Sequence, residues 1–335
     1  MSNILIIGGA GYIGSHVNLL LGERNYPTVV LDNLSKGHKR AVLSGEFILG
    51  DMADELLLVN IFRQYPIDIV MHFSAYSIVD ESVSNPLKYY RNNIANTLKL
   101  LEVMLEHGVK KIVFSSTAAV YGEPNYVPID EEHSTIPTNP YGKTKLTIEN
   151  MLKDCDRAYG LKYVSLRYFN AAGADEKGRI GEWHEPETHL IPRILSVAKL
   201  IKNGSTVGDN AKVNIYGTDY NTPDGTCIRD YIHVHDLAKA HIMALDHLRN
   251  DGESRTYNLG CGGGYSVRDV IEKVERIVGT KLPVKESPRR TGDPERLVAS
   301  IEKISQEWNW RPILDLTEII KTAWGLEEKL NRNVP

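Results

Sequence analysis

The sequence Gly8-Gly9-Ala10-Gly11-Tyr12-Ile13-Gly14 decides the fold class of this 335-residue chain. It follows an apolar run at residues 4–7, which predicts a buried strand, and precedes a stretch with helical apolar spacing at residues 15–24. Such a turn lets the backbone approach a pyrophosphate, whose charge is favoured by the N–H groups of the helix N-terminus. The spacing fits GxGxxG from Gly9 and GxxGxxG from Gly8. A tight turn that binds no ligand is the alternative interpretation.

Short apolar runs and amphipathic stretches alternate through the first half of the chain. They predict strands and helices in turn, with strands at residues 4–7, 28–31, 67–72 and 111–115 and helices at residues 15–24, 56–65 and 92–107. This alternation is typical of parallel βαβ units in a doubly wound α/β sheet. Because the pattern loosens after Arg167, we expect a first domain of residues 1–170 and a smaller C-terminal α/β lobe of residues 171–335. The chain is expected to return to the first domain at residues 229–248.

The composition limits the class of protein. There are 39 Lys and Arg residues against 43 Asp and Glu, a net charge of −4, which argues against binding to nucleic acid or to a membrane surface. Cys155, Cys227 and Cys261 form neither a disulfide framework nor a zinc motif. No apolar run approaches the roughly 20 residues that span a bilayer, and residues 4–7 leave no room for a secretion signal. We therefore expect a globular cytoplasmic protein.

Acidic residues after the second and third predicted strands point to a dinucleotide. Asp32 lies 18 residues after Gly14, close to the spacing of about 20 at which a carboxylate binds the adenosine ribose. A carboxylate there repels a 2′-phosphate, which favours NAD, although Lys36 and Arg40 nearby keep NADP open. Asp51 follows the third strand, where it can accept a hydrogen bond from adenine or simply cap the loop.

The segment Tyr141-Gly142-Lys143-Thr144-Lys145 places a phenol and an ammonium on one face of a predicted helix. The charges of Lys145 and of an oxidised nicotinamide favour the phenolate, so we expect a pKa of Tyr141 below the ordinary value of about 10. Tyr141 would then exchange a hydroxyl proton near neutral pH. Thr117 lies 24 residues earlier at a predicted strand end, where its hydroxyl can reach the same substrate oxygen. Together with the glycine turn and Asp32, this set indicates a redox site.

With these motifs the chain resembles the extended short-chain dehydrogenases/reductases and, among them, the UDP-galactose 4-epimerases. The resemblance runs almost end to end, and its final segment is particularly distinctive of the epimerases. Besides the glycine turn it rests on Asp32-Asn33-Leu34, Ser115-Ser116-Thr117-Ala118-Ala119-Val120-Tyr121-Gly122, Asn139-Pro140-Tyr141-Gly142-Lys143, Arg167-Tyr168-Phe169-Asn170 and Asp224-Gly225-Thr226-Cys227-Ile228-Arg229-Asp230-Tyr231-Ile232-His233-Val234.

The resemblance implies a Rossmann domain with tightly bound NAD, and an isomerase of galactose metabolism that interconverts UDP-glucose and UDP-galactose. In the implied reaction Tyr141 takes the proton of the 4′-hydroxyl while hydride passes from C4′ to NAD⁺. The keto sugar then turns about its diphosphate and takes the hydride back on its other face. Thr117 would bind the 4′-oxygen, and Lys145 would bind the nicotinamide ribose.

The resemblance also implies the contact residues. The cofactor would contact Gly8, Gly11, Tyr12, Ile13, Gly14, Asp32, Asn33, Gly37, Asp51, Met52, Phe73, Ala75, Asn92, Lys145 and Phe169. The UDP-sugar would contact Thr117, Tyr141, Asn170, His189, Leu190, Tyr216, Arg229, Arg290, Asp293 and Leu297. The charged forks of Arg229 and Arg290 suit a diphosphate, although a solvated basic turn is the alternative for Arg290.

Two positions depart from the family pattern, and a third bears on the sugar range. Ser77 stands where some members have lysine, and His189 stands where many have asparagine. Leu297 stands at a position of the sugar pocket where a large tyrosine would exclude an N-acetyl group. We therefore predict that UDP-N-acetyl sugars are also accepted.

Other functions of the same fold are less well supported. Sugar-nucleotide 4,6-dehydratases carry Thr-Asp-Glu where this chain has Thr117-Ala118-Ala119, and alanines move no protons. Asp32 disfavours a reductase that uses NADP(H). A nucleotide-sensing module without activity has no need of Thr117, Tyr141 and Lys145 together.

The sequence also leads to expectations about metal binding and about assembly. His233 and His235 lack an evident third ligand, so we predict no metal site. By analogy with the family, helices at residues 92–106 and 141–153 would form a homodimer interface.

Overall fold

The computed structural model describes residues 2–204, 208, 212–290 and 293–332, and it is organised around a seven-stranded parallel sheet. The strands are β1 (Asn3–Ile7), β2 (Thr28–Asp32), β3 (Glu46–Leu49), β4 (Ile67–His72), β5 (Lys111–Thr117), β6 (Lys162–Tyr168), β7 (Asn170–Ala172), β8 (Val213–Tyr216), β9 (Ile228–Arg229), β10 (Tyr231–His233), β11 (Arg255–Leu259), β12 (Tyr265–Ser266), β13 (Val284–Ser287) and β14 (Arg296–Leu297).

Helices cover both faces of the sheet and build the second lobe. The α-helices are α1 (Tyr12–Glu23), α2 (Glu55–Gln64), α3 (Val79–Ser84), α4 (Pro86–Tyr89), α5 (Asn96–Glu106), α6 (Pro140–Tyr159), α7 (Leu190–Lys202), α8 (Val234–Arg249), α9 (Val267–Val278), α10 (Glu302–Trp308) and α11 (Leu316–Arg332). Short 3₁₀ turns lie at Lys39–Ala41 and Ala118–Val120, and a π-helical segment lies at Tyr90–Ala95. No helix in the described ranges is long and apolar enough to cross a lipid bilayer.

The strand order of the large sheet is β3-β2-β1-β4-β5-β6-β11, and it reverses direction between β1 and β4. Ile6 of β1 pairs in parallel with Val30 of β2 on one side and Met71 of β4 on the other. All three side chains are buried, as expected for strands covered on both faces. The predicted doubly wound α/β class is confirmed. Such a reversal leaves a crevice at the carboxyl ends of the strands, where ligands bind.

Two apolar cores lie on opposite faces of this sheet. One joins Val17 and Leu21 of α1 to Leu237 and Leu245 of α8. The other contains residues of α2, α5 and α6, among them Ile148. Residues 234–249 and 255–259 therefore pack with the N-terminal half of the chain, as a covering helix and an edge strand. The domain boundary near residue 170 stays a prediction.

The smaller lobe has its own core and is also α/β. Residues of α7, α9 and α11 pack around Val213 and Ile215 of β8, which pairs with β13. Helix α9 begins with a capping box between Ser266 and Asp269, which satisfies two backbone donors, and it ends at Gly279 with a φ of +74°.

Helix α6 carries a row of buried polar side chains along one face. Asn139 caps the helix by accepting a 2.9 Å hydrogen bond from the Gly142 N–H, and Pro140 occupies its first turn. Tyr141, Lys145 and Glu149 follow at intervals of four residues, so they share one face, and all three are buried.

The ionisable groups of this row are satisfied by neighbouring strands. Arg167 of β6 donates to both oxygens of Glu149 at 2.6 and 3.0 Å, and the Ser116 hydroxyl donates to Glu149 at 2.6 Å. Lys145 donates a 2.7 Å hydrogen bond to the Ser115 carbonyl. Burial lowers the pKa of Lys145 to about 7, and the negative charge of Glu149 opposes that shift.

We predict that Lys145→Met changes how the free energy of unfolding depends on pH. In the unfolded chain the lysine pKa is about 10.4, whereas burial in the folded protein lowers it to about 7. Between these values the unfolded state binds more protons. Wild-type stability should therefore rise relative to the variant by up to about 1.4 kcal/mol per pH unit in this window, with no such slope below it.

Urea unfolding of both proteins from pH 6 to about pH 10 measures this difference. Lys143→Met is the control for the loss of a charge, because Lys143 is an exposed residue of the same helix. Parallel stability curves for the wild type and Lys145→Met would contradict the prediction.

Candidate active site

A cavity of about 1130 Å³ lies at the carboxyl ends of the large sheet, where the sheet meets the smaller lobe. Gly8, Phe73 and Thr117, from the ends of β1, β4 and β5, line one side. Tyr216 and Arg229 line it from the smaller lobe. This volume exceeds the range of about 300–1,000 Å³ for sites that hold a single drug-sized ligand.

The glycine turn forms one wall, and its close packing explains most of its glycines. Gly8 has a φ of +80°, and a Cβ there would lie 2.6 Å from the Ser74 N. A Cβ on Gly14 would lie 2.4 Å from the Gly8 carbonyl, and one on Gly9 would lie 2.8 Å from the Ile6 side chain.

Gly11 is the glycine of this turn that packing does not require. The nearest atom to a Cβ on Gly11 is the Gly8 carbonyl, at 3.4 Å. Gly8, Gly11 and Gly14 line the cavity, which favours the GxxGxxG spacing. Gly11 precedes α1 without a side-chain cap, which leaves N–H groups of the first turn available as donors for a phosphate. These features fit a dinucleotide.

The predicted cofactor residues fall into two groups. Gly8, Gly11, Tyr12, Ile13, Gly14, Phe73, Ala75, Lys145 and Phe169 line the cavity, whereas Asp32, Asn33, Gly37, Asp51, Met52 and Asn92 lie outside its wall. Asp32 holds the glycine turn, because it accepts hydrogen bonds from the Ala10 N–H at 2.9 Å and the Leu34 N–H at 2.8 Å. Burial raises the pKa of Asp32, and these two bonds oppose the rise.

Asp51 caps its loop, which is the alternative to a contact with adenine. It accepts a 2.8 Å hydrogen bond from the Ala53 N–H and a 2.7 Å bond from the Asn33 amide. Gly37 packs against the glycine turn, since a Cβ there would lie 2.7 Å from the Ala10 carbonyl carbon. Met52 is buried in the core, and the Asn92 amide donates to Asn93 at 2.9 Å.

Thr117, Tyr141 and Lys145 line the cavity together. Burial raises the pKa of Tyr141 to about 12, and a hydrogen bond from the Thr117 hydroxyl opposes the rise. The protein's own residues therefore raise this pKa, and the predicted lowering, which includes the charge of an oxidised nicotinamide, stays a prediction. Burial dominates, and the Lys145 ammonium donates to the Ser115 carbonyl. A lowered value would need a further positive charge, such as that of an oxidised nicotinamide.

All the predicted substrate residues line the cavity. They are Thr117, Tyr141, Asn170, His189, Leu190, Tyr216, Arg229, Arg290, Asp293 and Leu297. Arg229 forms an ion pair with Asp293. The Arg290 guanidinium lies 4.0 Å from the centre of the Tyr216 ring. Its neighbour Arg289 instead pairs with Asp219, so one arginine of the basic turn faces the cavity and the other does not.

The sequence analysis missed a group of ionisable residues in the same wall. Glu182, His184 and Glu187 join His189, with their ligand atoms within 4.8 Å of one another. The available signal was the spacing Glu-x-His-x-x-Glu-x-His. His233 accepts the His235 N–H at 3.0 Å and caps α8. Ser77 lines the cavity.

Comparisons with known proteins extend over nearly the whole chain. The NAD dependent epimerase/dehydratase family matches residues 4–260. The UDP-glucose 4-epimerase of Halalkalibacterium halodurans is 54% identical, over 96% of this chain and 94% of that protein.

Solved structures agree with the sequence relatives. UDP-glucose 4-epimerase from Brucella ovis in complex with NAD is 46% identical, with a TM-score of 0.91 over 97% of this chain and 98% of that one. The enzyme from Bifidobacterium longum in complex with NAD⁺ and UDP is 40% identical, with a TM-score of 0.90 over 98% of each chain. By sequence and by structure, this chain belongs to the NAD dependent epimerase/dehydratase family.

Proposed function

We propose that this protein is an isomerase that interconverts UDP-glucose and UDP-galactose with tightly bound NAD. The observation that carries the proposal is the convergence of Thr117, Tyr141 and Lys145 on one cavity. The glycine turn lies on one side of these groups, and Arg229 and Arg290 lie on the other. Relatives named UDP-glucose 4-epimerase that match nearly the whole chain support the same activity.

Different residues would bind the cofactor and the sugar nucleotide. The glycine turn and the first turn of α1 would hold the cofactor diphosphate, where Gly8 and Gly11 let the backbone come close. Arg229 and Arg290 would hold the diphosphate of the sugar nucleotide through bidentate hydrogen bonds. When bound, NAD supplies a reversible acceptor for hydride.

The chain itself moves the proton. The Tyr141 phenolate would take the proton of the 4′-hydroxyl and return it at the end of the cycle. The Thr117 hydroxyl, which contacts Tyr141, would hold the substrate oxygen in line with the phenol. Lys145 is positioned by the Ser115 carbonyl, and its charge would favour the phenolate. Because no net oxidation occurs, cofactor would not need to leave between turnovers.

We expect purified protein with no added cofactor to convert UDP-galactose to an equilibrium mixture with UDP-glucose, without net release of NADH. Tyr141→Phe should lower kcat by about 10²–10⁴-fold, because the phenol is the proton carrier. Product analysis by chromatography measures both reactions.

The control is Tyr159→Phe, which removes an exposed hydroxyl at the end of the same helix and should leave kcat unchanged. The cofactor content of each variant is measured after denaturation. Undiminished turnover by Tyr141→Phe would contradict the assigned role. No conversion by the wild type, even with added NAD, would favour another UDP-sugar-modifying reaction or a nucleotide-sensing module.

We propose in addition that UDP-N-acetylglucosamine is accepted. Leu297 of β14 lines the cavity opposite Arg229 in the β9–β14 register, and a leucine leaves more space there than a tyrosine. Leu297→Tyr should lower kcat/KM for UDP-N-acetylglucosamine by about tenfold or more, with a much smaller change for UDP-galactose. Failure of the wild type to turn over UDP-N-acetylglucosamine at millimolar concentration would contradict the proposal.

We also propose that two copies of the chain form a homodimer. Val83, Leu87, Tyr90 and Leu98 lie close together in the chain on α3, α4, the π-helical segment and α5, with 36–74% of their surface exposed. Leu98 lies on the helix at residues 92–106 that the family analogy assigns to the interface, and exposed apolar residues beside it would extend such a contact surface. Sedimentation should give twice the 37.6 kDa chain mass, and Leu87→Glu should shift the mass towards monomer, whereas Ile313→Glu should not. A monomeric wild type at micromolar concentration would contradict the proposal.

The cytoplasmic location stays a prediction.

A further inference from the structure

The segment from Glu182 to His189 brings two carboxylates and two imidazoles together in the cavity wall. Each of Glu182, His184, Glu187 and His189 offers one ligand atom, and these atoms lie within 4.8 Å of one another. The Nδ1 atom of His184 lies 3.1 Å from Glu182 and 4.0 Å from Glu187. The Nδ1 atom of His189 contacts Glu182 and lies 3.7 Å from Glu187. Both rings therefore direct the same nitrogen towards the same pair of carboxylates.

The carboxylates of Glu182 and Glu187 are the negatively charged groups of this cluster. Glu182 keeps only 5% of its side-chain surface exposed, and it pairs with His184 and His189. A divalent cation would balance both carboxylates and satisfy both nitrogens at once.

The backbone that carries these ligands is held in place by Trp183, which lies between two of them. The Trp183 carbonyl is 2.9 Å from the His38 ring nitrogen Nε2. The Arg40 guanidinium stacks 4.1 Å from the Trp183 ring centre. The indole also packs against the core cluster of Leu19, Ala41 and Ile180. Glu182 and His184 are thus fixed on either side of an anchored residue, which reduces the ordering that ligation would require.

We propose that Glu182, His184, Glu187 and His189 form a binding site for a divalent cation of the zinc class. Zinc is bound by imidazole nitrogens and carboxylate oxygens at about 2.0–2.2 Å, so two tetrahedral ligand atoms lie about 3.4 Å apart. Side-chain rotations that move the ligand atoms by about 1 Å would close the present cluster around an ion. The two nitrogens select a borderline metal such as Zn²⁺ or Co²⁺ over Mg²⁺ and Ca²⁺, which prefer oxygen ligands.

The test is calorimetric titration of the chelator-treated holoenzyme with Zn²⁺. We expect one saturable site per chain with a dissociation constant of micromolar or below. The double variant His184→Asn/Glu187→Gln removes one nitrogen and one carboxylate without touching His189, and it should weaken binding by about tenfold or more. Co²⁺ bound to the wild type should show visible absorption typical of nitrogen and oxygen ligation, and the double variant should lack it.

Glu185→Gln is the matched control, because Glu185 is an exposed acid of the same segment outside the cluster. It should bind Zn²⁺ like the wild type, and circular dichroism confirms that each variant is folded. The readout is binding, so it stands whether or not UDP-sugars are turned over. Absence of saturable Zn²⁺ binding, equal affinity in the double variant, or binding of Mg²⁺ as tight as that of Zn²⁺ would overturn the proposal.

Discussion

The close approach of the first strand–helix turn to the end of β4 is the constraint on which the site depends. The Ile7 carbonyl accepts hydrogen bonds from both the Phe73 N–H at 2.8 Å and the Ser74 N–H at 3.1 Å. A Cβ on Gly8 would lie 2.6 Å from the Ser74 N, so a glycine is required between these strands. Because β1 and β4 are the strands where the sheet order reverses, the chain leaves them in opposite directions. The cavity opens where the two connections separate.

A second constraint comes from helix α6, which joins the stability of the fold to the geometry of the site. Tyr141 faces the cavity, Lys145 lies one turn further on, and Glu149 lies one turn beyond that. The deepest member is neutralised by Arg167 of β6, and removal of either partner of such a pair would leave an uncompensated buried charge. The same pairing fixes the rotation of α6 about its axis. The phenol and the ammonium are thus carried on the same helix face as this buried pair.

The sequence predicted features that depend on local pattern, and it missed those that depend on tertiary contacts. The strand at residues 67–72 matches β4, because a run of buried apolar residues is visible in the sequence. The π-helical segment Tyr90–Ala95 was not expected; it surrounds Asn93, whose amide bonds Tyr76 and Thr144 across the chain. The position of β11 at the sheet edge depends on pairing with β6, which lies far away in the sequence. The raised pKa of Tyr141 follows from burial, which spacing alone does not reveal.

His189 lies between the positive end of a helix dipole and a negatively charged carboxylate in the cavity wall. It precedes α7 as its N-cap, where the helix dipole favours an anion, and it also contacts Glu182, which repels one. The carboxylates of Glu182 and Glu187 would therefore oppose the binding of an anion at this end of the cavity. On the other wall Arg229 forms an ion pair with Asp293, so part of its positive charge is already neutralised. On both walls an acidic residue lies beside the group that would attract phosphate, and its negative charge would weaken the binding of an anion there.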